Sequence, residues 1–505
     1  MLRHAPRSCK PTGIVFSIMV LVAPLAQALE PIEPDVGPLL LRARQHWEQG
    51  DQLGIEARRV ARTEGDPIPL LDRQIAAYEA AELKYLEALK QSPSHPYALF
   101  DYGRLLIAQR RYRAARRCLE SALKSPRMKK AFLASERADL MRILGGLVER
   151  AGEWTRAIDL YRSSMAVHPE DPRNRLSLAI ALCAWDDSVE PIELLQPWQK
   201  PAEGLRTVTP AIRSLGLYTL GYALEEDGRP EEAVEAYRQA KRVAKEAGPA
   251  ETAGVAEQAQ LALRRLAPVM ERLKDKEARA ALLKAAQLCR EGWRRRQDAL
   301  QDWTAFNEAR NALNDARTLK DRERLRGEEP LLSFFDAVRC FSEATNAYSH
   351  YARGYRQQGF CYLALMERRA ALPQLKAAVL YDPHSPAGLA ALGEIQLSHS
   401  SPEEAQQTFE RLLHVEPQYG PAHLGLARSL FRQVVTERDL DRVLQALDRA
   451  KALGADLRTI VRLEIDSAER QERLRRGESL VVPVRGQPRT APEGDDIWKG
   501  SVLDR

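Results

Sequence analysis

The chain has 505 residues, of which 44% are hydrophobic and 29% are charged, and its formal net charge is +6. This length excludes a single compact core unless the fold is a repeating one, and the composition excludes a disordered chain. The small net charge gives no indication of a polyanionic partner, so we expect no binding to nucleic acid. Aromatic residues make up only 6% of the chain, and the abundance of good helix formers favours an all-helical protein.

The N-terminus has the layout of a secretory signal peptide. Three basic residues are followed by an apolar run over 13–23 and by small residues at 26–28. The apolar run is too short to span a bilayer comfortably. We therefore expect a signal peptide over 1–28 that is cleaved after Ala28, and a periplasmic or secreted mature protein.

The alternative is that this N-terminal segment stays uncleaved and anchors the protein in a membrane. No other stretch of the sequence is long and apolar enough to cross a bilayer. We expect no integral membrane segment in the mature chain.

Five cysteines remain after cleavage, which is an odd number, and none forms a C-x-x-C pair. The pattern predicts neither a disulfide framework nor a thiol–disulfide motif, and small buried side chains are the simplest interpretation. A bridge between Cys340 and Cys361, on adjacent helices, is left open.

The clearest internal repeat lies near the C-terminus, where residues 352–385 and 386–419 form two 34-residue units without a gap. Each unit has two apolar patterns at helical spacing, separated by a short polar turn. A glycine in the first pattern (Gly359, Gly393) predicts close approach of two antiparallel helices. A larger residue sixteen positions later (Leu375, Phe409) fills the space between neighbouring units.

These units resemble the tetratricopeptide repeat, whose pattern places Leu-Gly and a tyrosine in the first helix, then Ala-x-x-x-Phe and a proline. Further units of this kind are predicted over 96–127, 138–171, 214–247 and 420–455, and residues 81–93 resemble the second helix of another. The resemblance implies a right-handed superhelical solenoid of antiparallel helix pairs, in which two repeat blocks are joined by a long-helix segment.

The central region has helical periodicity but no 34-residue match, and we interpret it as one long helix or two in line, lying along the solenoid. The predicted organisation is a signal peptide (1–28), an N-terminal helical segment (29–69), a first repeat block (70–253), a long-helix connecting segment (254–332), a second repeat block (333–477) and an irregular or disordered tail (478–505).

Catalytic signatures are missing from the sequence. It contains no P-loop, H-E-x-x-H, G-x-S-x-G or kinase set. Four histidines, at 384, 399, 414 and 423, match no metal-site spacing and are interpreted as surface or turn residues. We expect no enzyme activity, no cofactor and no metal site.

Clusters of like charge are interpreted mainly as solvated surface. The acidic runs 186–187 and 225–227 are expected at turns and helix ends. Two arginine clusters, 110–117 and 294–296, are expected on exposed faces, with an acidic or anionic partner as the alternative.

The functional surface that the resemblance implies is the concave face made by the first helix of each pair, which takes a peptide or a partner's helix. Aromatic and arginine side chains suit such a groove. No lysine–asparagine clamp for a terminal carboxylate is found. The candidate groove residues are Phe100, Arg104, Tyr218, Tyr222, Arg353, Arg356 and Phe360.

Two functions remain as hypotheses. The first is an exported, non-catalytic scaffold that mediates protein–protein interaction, for example in envelope complex assembly. The second is a ligand-binding or enzymatic protein with a site in the central region around Trp293, Trp303 and Phe306, which predicts a pocket with convergent polar groups.

Overall fold

The computed structural model describes residues 35–63, 66–185, 187–199, 208–248, 252, 254–315 and 331–476. These residues form 21 α-helices and one short 3₁₀ helix, with no β-strand among them. This confirms the predicted all-α fold built of antiparallel helix pairs. The chain divides into two compact units, 1–99 and 100–505.

The first unit is a hairpin of two long helices, α1 (Gly37–Arg62) and α2 (Ile68–Gln91). Tyr78 of α2 lies against Gly50 of α1, and its hydroxyl donates to the Asp51 carboxylate at 2.5 Å. The glycine lets the tyrosine ring approach the helix backbone. The sequence predicted that the N-terminal helical segment ends at residue 69 and that the first repeat block begins at residue 70. This boundary lies just inside α2.

The second unit contains the remaining helices, of which α3 begins in the first unit. They are α3 (Pro96–Ala108), α4 (Tyr112–Lys124), α5 (Met128–Ala131), α6 (Ala134–Arg150), α7 (Trp154–Val167), α8 (Pro172–Ala184), α9 (Val189–Leu195), α10 (Pro210–Glu226), α11 (Pro230–Ala247), α12 (Val255–Arg272), α13 (Lys276–Asp315), α14 (Leu331–Ala347), α15 (Ala352–Ala364), α16 (Arg368–Tyr381), α17 (Pro386–His399), α18 (Pro402–Val415), α19 (Gly420–Phe431), α20 (Glu437–Ala452) and α21 (Leu457–Arg475).

One contact recurs in five helix pairs of the second unit. A glycine of the first helix faces a large side chain of the second helix, sixteen residues later. A Cβ at each glycine would come within 2.7–2.8 Å of that side chain, so only glycine allows the observed helix separation. The five contacts are Gly103–Leu119, Gly145–Tyr161, Gly221–Tyr237, Gly359–Leu375 and Gly393–Phe409.

The central segment contains the same contact with a different spacing. Gly292 of α13 faces Phe341 of α14, where a Cβ would lie 2.8 Å from the ring, but the two residues are 49 positions apart. Ala337 and Ala344 flank Phe341 and are fully buried. The helices α13 and α14 thus form a further pair, and the longer connection between them hides it from a search for a 34-residue period.

The two helices before residue 316 pack against different partners. The helix α12 packs against α11, whereas α13 packs against α14. The helix α12 ends at Leu273, whose N–H still donates to the Val269 carbonyl at 3.0 Å. Of the two expectations, one long helix or two helices, the structure has two, and the second of them forms a helix pair with α14.

Late helices of the second unit contact helices near the start of the same unit. Trp154, at the start of α7, lies 6.1 Å from Tyr419, which precedes α19. A Cβ on Gly420 would come within 3.0 Å of the Arg150 carbonyl oxygen. The last repeats therefore pack on the turn between α6 and α7.

Several expectations fall outside the described residues, namely the signal peptide over 1–28 and the tail over 478–505. Within the described ranges, no helix has the length and apolar character needed to cross a membrane. The five cysteines that follow the predicted cleavage site are all free thiols, including Cys340 and Cys361.

Candidate functional site

The C-terminal end of α10 carries the acidic run 225–227, and two arginines reach it from α15. Arg356 donates to the carboxylate of Glu226. The hydroxyl of Tyr351 donates to the Glu226 carbonyl oxygen at 2.6 Å. The last carbonyls of a helix and the negative end of its dipole attract cations, and acidic side chains at that end increase the attraction.

Arg353 approaches the same place from one turn earlier in α15. Its Nη1 donates to the Ser188 hydroxyl at 2.6 Å, just before α9. This contact connects α9, α10 and α15, which are far apart in the sequence.

A third arginine, Arg265 of α12, lies close to two carboxylates, those of Glu225 and Asp382. Its Nη2 lies 2.7 Å from Glu225, and its Nη1 lies 3.5 Å from Asp382. Burial disfavours the charge of Arg265, but the two carboxylates outweigh it and raise the arginine pKa. Burial raises the pKa of Glu225, against the opposing effect of Arg265.

The fourth arginine is Arg290 of α13. It lies 3.0 Å from Asp227 Oδ1 and donates to the Asp227 carbonyl oxygen at 3.2 Å. Each acid of the run 225–227 therefore has its own arginine. We call this cluster the charged junction; it consists of Glu225, Glu226, Asp227, Arg265, Arg290, Arg353 and Arg356.

The charged junction overturns the expectation that the acidic runs are solvated. Asp227 is buried although its partner Arg290 is partly exposed, and Asp187 is only 8% exposed. The Asp187 carboxylate accepts the N–H of Val189 at 2.9 Å and caps the start of α9. Asp186 lies outside the described residues.

Two of the candidate groove residues are occupied by the chain itself. Arg353 is 2% exposed and Arg356 is 1% exposed. The expectation that they line an open groove is corrected, because α10 covers this face of α15.

The other candidate groove residues on α10 and α15 lie nearby. Tyr218 packs on Tyr237 with ring centroids 5.5 Å apart, and Tyr222 is partly buried one turn later. Phe360 is partly buried, with the Arg296 guanidinium 5.4 Å from its ring.

The remaining two candidates lie in a separate place on α3. Phe100 packs against Phe132 with centroids 5.5 Å apart. Arg104 is 46% exposed, 5.6 Å from the Phe100 ring and 3.9 Å from the Asp101 carboxylate. The structure thus divides the candidates between the region of the charged junction and the exposed face of α3.

One arginine of each cluster pairs with acids in the described part of the chain. Arg116 lies 2.9 Å from Glu120 and 2.5 Å from Glu153. In the second cluster, Arg295 lies 2.6 Å from Glu291. These pairs favour a structural role for Arg116 and Arg295, whereas their neighbour Arg294 is exposed.

A pocket of about 300 Å³ opens beside the charged junction, between α9 and α13, with Arg353 of α15 contributing to its wall. We call it the junction pocket; its lining residues are Asp187, Val189, Glu190, Glu193, Arg290, Trp293, Arg294 and Arg353. It lies where the ligand-binding hypothesis placed a site, at Trp293. The side chains of Trp303 and Phe306 lie outside the described residues.

In the described part of the chain, no three His, Cys, Asp or Glu side chains come together in a way that could hold a metal ion. Burial lowers the pKa of His423, whose ring nitrogen contacts the Pro417 carbonyl at 3.0 Å.

Sequence reasoning did not identify Arg265 and Arg290 as members of the site. One signal was present in the acidic run 225–227 directly before Gly228. Three acids at a helix C-terminus oppose the helix dipole, which indicates that cations from elsewhere compensate them.

Comparison with known proteins supports the repeat assignment. A family model described as the tetratricopeptide repeat matches residues 101–172 and 391–457. These stretches coincide with helix pairs that contain the glycine contact. No curated protein matches the chain.

The solved structures that resemble this chain match parts of it. A crystal structure of MamA is 18% identical over 34% of this chain and 92% of its own, with a TM-score of 0.29. YrrB, described as a TPR protein with an unusual peptide-binding site, is 18% identical over 37% and 84%, with a TM-score of 0.29. The TPR2AB domain of yeast Sti1, in a complex with pHSP90, is 16% identical over 63% and 99%, with a TM-score of 0.23.

Proposed function

We propose that this tetratricopeptide-repeat chain is an exported, non-catalytic scaffold that binds a protein or peptide partner, with a place in envelope complex assembly. The observation that supports this function most is the recurrence of the glycine contact in successive helix pairs. Such pairs expose a continuous row of first helices, which is the surface that repeat proteins use for binding.

The charged junction limits where a partner can bind. Since Arg353 and Arg356 are covered by α10, we place the contact surface on the candidates that stay accessible. Arg104 projects from α3 with an exposed guanidinium, 5.6 Å from the ring of Phe100, which is itself buried. An exposed guanidinium suits a binding hot spot that meets a carboxylate. Tyr222 and Phe360 form a second, partly buried group.

Export is proposed from the N-terminal sequence alone. The basic start, the apolar run over 13–23 and the small residues at 26–28 support cleavage after Ala28. N-terminal sequencing of the protein from the envelope fraction of its cell tests this. A chain that retains residue 1 in a membrane fraction would support the uncleaved anchor instead.

The partner hypothesis is tested by capture from the envelope fraction with the mature chain from Leu29 onward. The decisive variant is Arg104→Glu, which reverses a half-exposed charge and removes its 3.9 Å pair with the buried Asp101 carboxylate, so circular dichroism must verify that the variant is folded. We expect it to lose a partner that the wild type retains. Arg438→Glu is the matched control, since Arg438 is also exposed and has no ion pair in the described part of the chain.

Changes at Arg353 or Arg356 are unsuitable for this test, because they break buried pairs and would confuse loss of binding with loss of fold. If wild type and Arg104→Glu retain the same partner with equal strength, the α3 surface is not the binding site. If neither chain retains any protein in repeated captures, the scaffold function itself is contradicted.

A further inference from the structure

The junction pocket is built from parts of the chain that are far apart in the sequence. One wall is the helix α9 with Asp187 before it, and the other wall is the middle of α13. Its volume of about 300 Å³ is at the lower end of the range for small-molecule sites. A ligand that fills it has the size of an amino acid or a dipeptide.

Two of the three acids that line the pocket already have partners. Asp187 accepts the N–H of Val189 at 2.9 Å, and Glu190 lies 2.6 Å from Arg162. Glu193 is exposed on the same wall and forms no ion pair within the described ranges. The carboxylate that stays available is therefore Glu193.

Two of the three arginines are occupied in the same way. Arg290 lies 3.0 Å from Asp227, and Arg353 donates to Ser188 at 2.6 Å. Arg294 is exposed on the opposite wall and has no acidic partner in the described part of the structure. The available carboxylate and the available guanidinium thus lie on facing walls.

Trp293 lies next to Arg294 and supplies the third available group. Its ring packs partly against the core formed by α13 and α14. Its indole N–H is buried and has no protein acceptor among the described residues. Because this nitrogen is closed to solvent, a ligand in the pocket contacts the Trp293 ring and not its N–H.

We propose that the junction pocket binds a small zwitterion, with its ammonium group at Glu193 and its carboxylate at Arg294. The apolar part of the ligand lies on the Trp293 ring. A purely anionic ligand would face three acids, and a purely cationic one would face three arginines. A ligand that carries both an ammonium group and a carboxylate has a charge complementary to each of the two available side chains, Glu193 and Arg294. This site goes beyond the scaffold function and shares no residue with the α3 surface.

Calorimetric titration of the mature full-length chain with L-phenylalanine and L-alanine tests the proposal. We expect binding of at least one of them. N-acetyl-L-phenylalanine lacks the ammonium group and L-phenylalanine amide lacks the carboxylate. Each should bind at least tenfold more weakly than L-phenylalanine, because a charge-assisted contact is lost.

Three variants locate the site. Glu193→Gln and Arg294→Gln should each weaken zwitterion binding at least tenfold, and Trp293→Ala should weaken it because the ring that contacts the apolar part of the ligand is removed. Glu277→Gln and Arg438→Gln, at exposed positions elsewhere, serve as controls and should bind as the wild type does. Circular dichroism verifies that every variant is folded.

The proposal is overturned if neither amino acid binds the folded wild type at millimolar concentration. It is also overturned if the capped compounds bind as tightly as L-phenylalanine, or if Glu193→Gln and Arg294→Gln bind with unchanged affinity. None of these outcomes affects capture of a partner through Arg104, so the two functions fail separately.

Discussion

Arg356 donates to the carboxylate of Glu226, which lies 130 residues earlier in the chain. The arginine is on the first helix of a repeat, at a position where a repeat protein commonly contacts its ligand. In this protein the position contacts the chain itself, at the acidic C-terminal end of α10 in the first repeat block. The second block therefore uses first-helix residues, which the resemblance assigns to partner binding, to hold the first block.

Replacing Arg356 with alanine should destabilise the protein by about 3–5 kcal/mol, because the buried carboxylate of Glu226 loses its counter-ion. Urea unfolding followed by circular dichroism measures the change as a lower midpoint. The exposed residue Arg438, changed to alanine, is the control and should shift stability by less than about 0.5 kcal/mol.

A double variant separates charge from packing at this contact. Arg356→Met together with Glu226→Gln removes both charges and keeps most of the volume, so it should be more stable than Arg356→Met alone. Equal midpoints for the double and the single variant would show that Glu226 does not depend on this arginine.

Two adjacent glycines of α6 provide a test of the recurring helix contact. A Cβ at Gly145 would come within 2.7 Å of the Tyr161 ring, whereas at Gly146 the nearest atom is the Tyr161 hydroxyl oxygen at 3.6 Å. Gly145→Ala should destabilise by about 1–3 kcal/mol through overpacking. Gly146→Ala should be neutral or stabilise by up to about 1 kcal/mol.

Thermal unfolding of the two alanine variants under one buffer condition gives the comparison directly. The same logic extends to Gly292→Ala, which faces Phe341 at 2.8 Å. Wild-type stability in Gly292→Ala would argue against a repeat pair made by α13 and α14.

The carboxyl group of Glu149 should make stability depend on pH. Burial raises its pKa, although the Tyr161 hydroxyl donates to it at 2.7 Å and opposes the shift. Glu416 also has a raised pKa, because of burial and the neighbouring charge of Glu149. The folded protein binds these protons more tightly than the unfolded chain, so stability falls as pH rises above the ordinary glutamate pKa.

Glu149→Gln should therefore raise Tm at pH 7, by about 2–4 °C for each kcal/mol of penalty removed, and leave it nearly unchanged at pH 4. Tm measured from pH 4 to 8 should depend less on pH in this variant than in the wild type. Glu170→Gln, at an exposed position, is the control. If the Tm of Glu149→Gln differs from that of the wild type by the same amount at every pH, titration of Glu149 is excluded as the cause of the pH dependence.

The cysteines should differ in reactivity according to burial. Burial raises the pKa of Cys361 to about 12, and Cys289 is fully buried in the same core. Because the thiolate is the reactive form, both should resist iodoacetamide in the folded protein at pH 8. Cys118 and Cys183 are only partly buried and should react before the buried cysteines, although burial raises the pKa of Cys118 as well.

Mass spectrometry of the alkylated peptides measures the order of labelling, and unfolding in urea should make all sites reactive. A disulfide between Cys340 and Cys361 in the protein purified from its cell would contradict the free thiols of the structure. Rapid labelling of folded Cys361 would contradict its burial.

The sequence by itself determined the repeating part of this protein. The helix pairs at 352–385 and 386–419 follow from contacts between residues sixteen positions apart, such as Gly359 and Leu375. These contacts lie within one unit, so spacing along the chain is enough to predict them. The pair of Gly292 and Phe341 was missed because a longer connection separates two residues that pack in the same way.

Only the tertiary structure decided how the blocks meet and where a pocket opens. Whether Arg356 faces solvent or Glu226 depends on the path of the repeats that separate them, since small rotations between successive pairs add up along the chain. The same holds for Glu193 and Arg294, which are on different helices and face one another only after folding. Local sequence patterns predict which helices pair. The rotations between successive helix pairs, added along the chain, determine which charged side chains become neighbours.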